Sequence, residues 1–235
     1  IKSSAASDVY KRQKLARVYE RMGSADKAAK EYTLALTKSS ENQEILLALE
    51  NIWKQKAAAT PDDADVHANL GAIYQKRGNL DSALAEYQLA EKLNPSSVMT
   101  RLNHSTLYQQ KKEYETAIEG YDSILRLYPN HTLAYYYKAQ CLRALGMKDA
   151  AVQNYKLALN LEPENQGIKD ELFDMVKSDM TPEEMLAYLA NELKNSPNNP
   201  ETVYEYAYQL HKNKKFDEAI TYYNQAVSYT HLTLP

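Results

Sequence analysis

Histidine and cysteine are the side chains best suited to holding metals or acting as bases and nucleophiles near neutral pH. This chain of 235 residues has five histidines and one cysteine. His67, His104, His131, His211 and His231 are scattered, and there is no HExxH pair, cysteine cluster, glycine-rich phosphate loop or nucleophile elbow. Cys141, among Ala139, Leu142 and Leu145, reads as a small buried apolar residue, not a reactive thiol. The acids Glu183 and Glu184 follow Thr181-Pro182, so they read as charges favouring a helix N-terminus and not as a general-acid pair. No enzyme, cofactor or metal site is expected. Tyrosine is what the chain has in excess, 20 of 235 residues, and its amphipathic ring suits recognition.

The elements that carry these residues are set by a period. Pro61, Pro95, Pro129, Pro163 and Pro197 stand 34 residues apart without a slip. A constant spacing over that length means one supersecondary unit stacked on copies of itself. From Ala64 to Ser97, Leu70, Gly71 and Tyr74 mark one helical run and Ala83, Tyr87 and Ala90 a second. Gly78 falls between the runs, where a helix end needs a left-handed residue, and Pro95-Ser96-Ser97 separates the second run from the next period. Each period is a helix, a tight turn and an antiparallel helix.

The frame repeats as Tyr108, Ala117, Tyr121, Ile124 in 98–131 and as Tyr135, Ala139, Leu142, Gly146, Ala151, Tyr155, Ala158 in 132–165. Tyr206, Ala207, Leu210, Ala219, Tyr223 and Ala226 make a copy from Pro200 onward, and Leu15, Ala16, Tyr19, Gly23, Ala28, Tyr32 and Ala35 make one near the start. These residues resemble the tetratricopeptide repeat, a 34-residue pattern of a large aromatic, Leu-Gly, Tyr, then Ala, an aromatic, Ala and Pro. The resemblance covers roughly residues 14 to 226. It implies an all-α chain, an α-solenoid of antiparallel helix pairs in a right-handed superhelix, and a protein-binding scaffold. In that pattern His67 takes the place of the large aromatic, for which packing is the expected role.

Two segments depart from the pattern. Residues 43–63 have room for a single helix, with Ile45, Leu46, Leu49, Ile52 and Trp53 on one face, a half repeat expected to pack atypically around Trp53 or turn the stack. Residues 166–199 keep the length but replace the turn glycine with Met180, and Thr181 reads as the cap of a helix opening on Pro182. A longer turn and a shortened second helix are expected there. The ends, 1–13 and 227–235, resemble translated adaptor sequence and read as non-native: Arg12 stands where a large apolar residue belongs, and His231 where a sixth proline would fall. The remaining units are 14–42, 64–97, 98–131, 132–165 and a truncated 200–226.

A net charge of −3 with mixed signs offers no basic stripe for nucleic acid and no polybasic membrane patch, and no apolar run approaches a spanning helix. The expected partner is a protein or peptide, in the cytoplasm. In such a stack the first helices line the concave face. Their positions not used in packing form the candidate groove: Asn69, then Leu102, Asn103, Thr106 and Gln109, then Tyr136, Tyr137, Gln140 and Arg143, with Tyr204 and Tyr208 continuing the aromatic theme. Asn69 and Asn103 share one repeat position and could bond a peptide backbone. Relatives that grip a C-terminal carboxylate use basic and asparagine side chains over three repeats. Here Ala68, Ala72, Asn103, Leu133 and Tyr137 hold those places, so only Asn103 matches and that mode is not expected. The alternative function is a substrate-docking arm of a larger transferase or peptidase.

Overall fold

The computed structural model describes residues 2–232, and side chains within 6–194 and 196–228. Of the tails expected to be non-native, residues 1 and 233–235 lie outside the described residues. All the regular elements among the described residues are α-helices, and the chain divides into a first unit ending at Glu164 and a second beginning at Asn165.

The first unit holds α1 (Lys2–Arg21), α2 (Ala25–Leu36), α3 (Gln43–Ala59), α4 (Ala64–Lys76), α5 (Leu80–Leu93), α6 (Val98–Gln110), α7 (Tyr114–Leu127), α8 (Thr132–Ala144) and α9 (Lys148–Leu161). Helices α4 and α5, α6 and α7, and α8 and α9 are paired, and α1 pairs with α2. First helices open on a side-chain cap: Asp63, Ser97 and His131 each accept a hydrogen bond from a backbone N–H in the following turn, satisfying donors the helix leaves unpaired. His131 is thereby a cap, its Nδ1 accepting from the Ala134 N–H at 3.2 Å.

Second helices of these pairs have no such cap and start from a three-residue turn. Gly78 and Gly146 take φ of +79° and +75°, and Lys112 takes +63° at the same place. The bonding is identical in each turn: Lys112 N–H reaches Gln109 O at 3.0 Å, and Glu113 N–H reaches Tyr108 O at 2.9 Å. That double bond pattern is what stops the helix and reverses the chain.

Between the pairs a small-residue seam takes one large ring per repeat. Ala83, Ala90, Ala117, Ala151 and Ala158 are fully buried beside fully buried Tyr87, Tyr121 and Tyr155. A Cβ on Gly71 would meet the Tyr87 ring at 2.8 Å, so glycine is required by close approach there. The single helix α3 buries Ile45, Leu46, Leu49 and Ile52 in one cluster with Ile73 of α4, and Trp53 packs half-buried at its edge beneath Lys56 Nζ, 4.7 Å away. α3 also carries the buried Glu50, paired to Lys54 and to Arg77 at the end of α4. Arg12, out of pattern in sequence, bonds Asp8 and Glu31 at 3.2 and 3.0 Å.

The second unit holds α10 (Gln166–Val176), α11 (Pro182–Asn195), α12 (Pro200–Lys212) and α13 (Phe216–Leu232). Its first pair corrects the sequence reading. The second helix is not shortened: α11 has 14 residues like α5, and α10 is the short one with 11. The cause is the early stop of α10 at Val176, which leaves 177–181 as a longer turn. α11 begins on a reciprocal cap in which Thr181 Oγ1 accepts from Glu184 N–H and the Glu184 carboxylate accepts from Thr181 N–H. Those bonds, the backbone one first, hold the Glu184 carboxyl below its ordinary value.

Candidate peptide groove

The seam tyrosines do more than fill space. Tyr87 Oη donates to Gln75 and Tyr121 Oη to Gln109, each at 2.9 Å and each twelve residues back on the first helix of the pair. Burial pushes both phenols well above the ordinary tyrosine range, so they remain donors. The glutamines pass the bonding on: Gln75 Nε2 donates to Gln110 at 3.2 Å, and Gln109 Nε2 to Gln140 at 3.0 Å. Seam, first helix and next repeat are linked in one line of bonds. Gln109 and Gln140, read from sequence as ligand-facing, use these amide groups within the chain.

Beside this line lies an open cavity of about 860 Å³ framed by α6 and α8. It gathers Leu102, Asn103, Thr106, Gln109, Tyr137, Gln140 and Arg143 from the sequence-derived groove, with Met99, Gln110 and Leu133 at their flanks. No carboxylate lines it, and Arg143 is its cation. Met99 and Leu133 are exposed apolar groups at its edge, whereas Leu102 is almost wholly buried and forms part of its floor. Tyr114, from the first turn of α7, completes one wall; its place opening a second helix gave no signal for that role in the sequence.

Other candidates fall elsewhere. Tyr136 does not line the cavity but packs half-buried against Tyr137 and Tyr155, with ring centroids 5.3 and 6.0 Å away. Tyr137 does both, stacking on Tyr121 of the preceding repeat at 6.0 Å while facing the cavity. Asn69 is exposed and donates to its own helix at Asp65 O, 2.7 Å away, and is not among the cavity residues. Tyr204 and Tyr208 belong to the second unit, where both are exposed and Tyr204 lines a separate cavity with Tyr223.

The remaining titratable groups have structural surroundings. His67 is buried between Glu86 and the Pro61 carbonyl, 2.6 Å from Nδ1 and 2.9 Å from Nε2. His104 lies tilted against Tyr108, ring centroids 4.8 Å apart, with Nδ1 3.2 Å from Glu91, and His211 meets the Phe216 ring edge-on. Burial pushes the Cys141 thiol up to about 12, so it stays protonated. Among the described residues no group of three or more His, Cys, Asp or Glu is placed to hold a metal ion, and no helix is long and apolar enough to cross a membrane.

Tetratricopeptide repeat models match residues 64–97, 102–166 and 200–231, together more than half of the chain. Among solved structures, YrrB, a tetratricopeptide protein described as having an unusual peptide-binding site, is 17% identical with a TM-score of 0.55 over 75% of this chain and 91% of its own. A tetratricopeptide repeat protein of Parabacteroides merdae is 17% identical with a TM-score of 0.52 over 95% of this chain and 80% of its own. No curated protein matches. The three matched segments, the repeated capped helix pairs and the shared all-α solenoid fold agree: the chain belongs to the tetratricopeptide repeat family.

Proposed function

We propose that this protein is an interaction scaffold that holds an extended or helical peptide in the cavity between α6 and α8. The observation that carries this reading is the mixed lining of that cavity. Exposed Met99 and Leu133 offer apolar anchoring at the edge, Asn103, Thr106 and Gln110 offer polar groups, and Arg143 adds a guanidinium to the lining. Peptides with an apolar anchor fit these groups. A cytoplasmic setting is part of this reading, as is a scaffolding and non-catalytic role for the repeats.

A displayed random-peptide library panned against the full chain tests it. Selected peptides should lose binding to a Met99→Glu variant and keep it toward Met147→Glu, which places the same charge on an exposed residue outside the cavity. Equal binding to both variants, or no enrichment at all, overturns the reading.

A further inference from the structure

The direction of the hydrogen bonds beside the α6–α8 cavity decides what the cavity offers a ligand. Tyr87 is fully buried, and its Oη has the Gln75 amide as its hydrogen-bond partner at 2.9 Å. Burial holds this phenol well above the ordinary tyrosine range, so the proton stays on it. A buried hydroxyl that only accepted would leave that proton unpaired, which costs more than a hydrogen bond returns. Tyr87 therefore donates, and the Gln75 atom facing it is the carbonyl Oε1. The other end of the same amide meets Thr106 Oγ1 at 3.5 Å, and the Thr106 proton goes to Asn103 O at 2.8 Å. A hydroxyl whose proton is committed elsewhere accepts, so the Gln75 atom facing Thr106 is the nitrogen. Two independent partners orient one amide the same way.

That orientation passes to the next repeat. Gln75 Nε2 reaches the Gln110 amide at 3.2 Å, and a donor needs an acceptor, so Gln110 turns Oε1 toward Gln75. Its Nε2, which carries two protons, is then on the opposite edge of an exposed side chain that lines the cavity. The same sense recurs one repeat on, from Tyr121 Oη to Gln109 at 2.9 Å and from Gln109 Nε2 to Gln140 at 3.0 Å. A solvated glutamine can turn either end of its amide outward, whereas Gln110 has one end already spoken for. We infer that Tyr87 is a positioning residue that makes Gln110 a hydrogen-bond donor in the groove, selecting peptides that present a main-chain carbonyl there. The choice of ligand rests on the peptide reading of this cavity. Tyr87 itself does not line the cavity and acts from the repeat seam through two amides. Phenylalanine would fill the same alanine seam yet leave Gln110 indifferent between donors and acceptors.

NMR of the side-chain amides of the full chain, with no peptide present, tests the positioning. Tyr87→Phe keeps the ring and removes one oxygen. The Gln75 and Gln110 amides should both lose order, seen as a lower heteronuclear NOE and faster proton exchange with water, while helical circular dichroism is unchanged. A Gln110 amide unaffected by Tyr87→Phe overturns the relay, whether or not any peptide binds.

Peptides recovered by library panning test the donor. An ester in place of one backbone amide weakens the adjoining carbonyl as an acceptor. Scanned along a selected peptide, the ester should weaken binding to wild type about fivefold more than to Gln110→Met at one position, and Tyr87→Phe should fall between them. The lost peptide N–H is common to all three chains, so the difference isolates the contact. An ester scan identical in wild type and Gln110→Met, with binding still lost in Met99→Glu, overturns the donor assignment and leaves the groove standing. Recovery of no peptide overturns the choice of ligand together with the groove reading, and the relay then stands or falls on the NMR result.

Discussion

The repeat of α6 and α7 and the pair α10 and α11 occupy the same 34-residue length, yet they are locked by different physics. In the first, a fully buried Tyr121 lies in an alanine seam, its hydroxyl bonds Gln109, and a three-residue turn reverses the chain through a left-handed residue. In the second, the buried residues among those described are Ile168 and Leu189, the aromatic contact is a Phe173–Tyr188 stack at 4.2 Å, and the turn is secured by a side-chain cap at Thr181. Length preserves the helix count, whereas rigidity comes from what is buried between the helices.

The largest expected effect breaks that comparison at its centre. Tyr121→Ala removes a fully buried ring from a close-packed seam and should cost about 3–5 kcal/mol in urea unfolding. Tyr188→Ala removes a half-buried ring whose main aromatic contact is one stacked partner, and should cost about 1 kcal/mol. Equal costs would mean that the two pairs are held in the same way after all.

Next in size is the cap. Thr181→Ala removes the acceptor for Glu184 N–H and should cost about 1 kcal/mol. Asn79→Ala, at the corresponding position of α5, should cost much less, because the Asn79 side chain makes no capping bond. Equal losses, read from urea midpoints, would show that the turn residue matters for its backbone alone in both pairs.

The period made much of this legible. The first helices begin at Ala64, Val98, Thr132, Gln166 and Pro200, since proline and the capping residue recur at fixed distances before them. What the period could not reveal was who bonds whom. Gln109 and Gln140 are polar on an exposed-looking stripe, and only three-dimensional proximity shows them bonded to each other and to Tyr121. Tyr136 was indistinguishable from Tyr137 by type, but one residue of helical rotation turns it toward Tyr155 and away from the cavity. The left-handed turn at Lys112 was hidden as well, because the cost of that backbone for lysine is small enough for the two turn bonds to outweigh.

That cost gives the third prediction. Lys112→Gly and Lys214→Gly replace residues held at φ of +63° and +61° by the residue found there in other repeats, so each should raise stability by about 0.5–1 kcal/mol. Differential scanning calorimetry would show a small rise in Tm for each. A fall would mean that the lysine side chains contribute more at the turn than their backbone costs.

The smallest effect separates two neighbouring repeats at one position. Arg101 donates to the Pro95 carbonyl at 2.6 Å, and His67, 34 residues earlier, faces the Pro61 carbonyl at 2.9 Å and Glu86 at 2.6 Å. A guanidinium keeps its protons throughout the working pH range, but an imidazole donates from both nitrogens only when charged. Burial works against the charged ring, yet the bonds to Glu86 and Pro61 outweigh it, so the His67 pKa lies above its ordinary value. A raised pKa stabilises the fold fully below the ordinary value near about 6.5, and that contribution is lost as pH rises through the folded value. His67→Phe keeps an aromatic ring and removes the charge, so the wild type should lose urea midpoint relative to the variant as pH rises from about 6.5 through the raised folded value. A constant difference across that range would mean a neutral ring, with one of its two acceptors facing no proton, and would put His67 among packing residues alone.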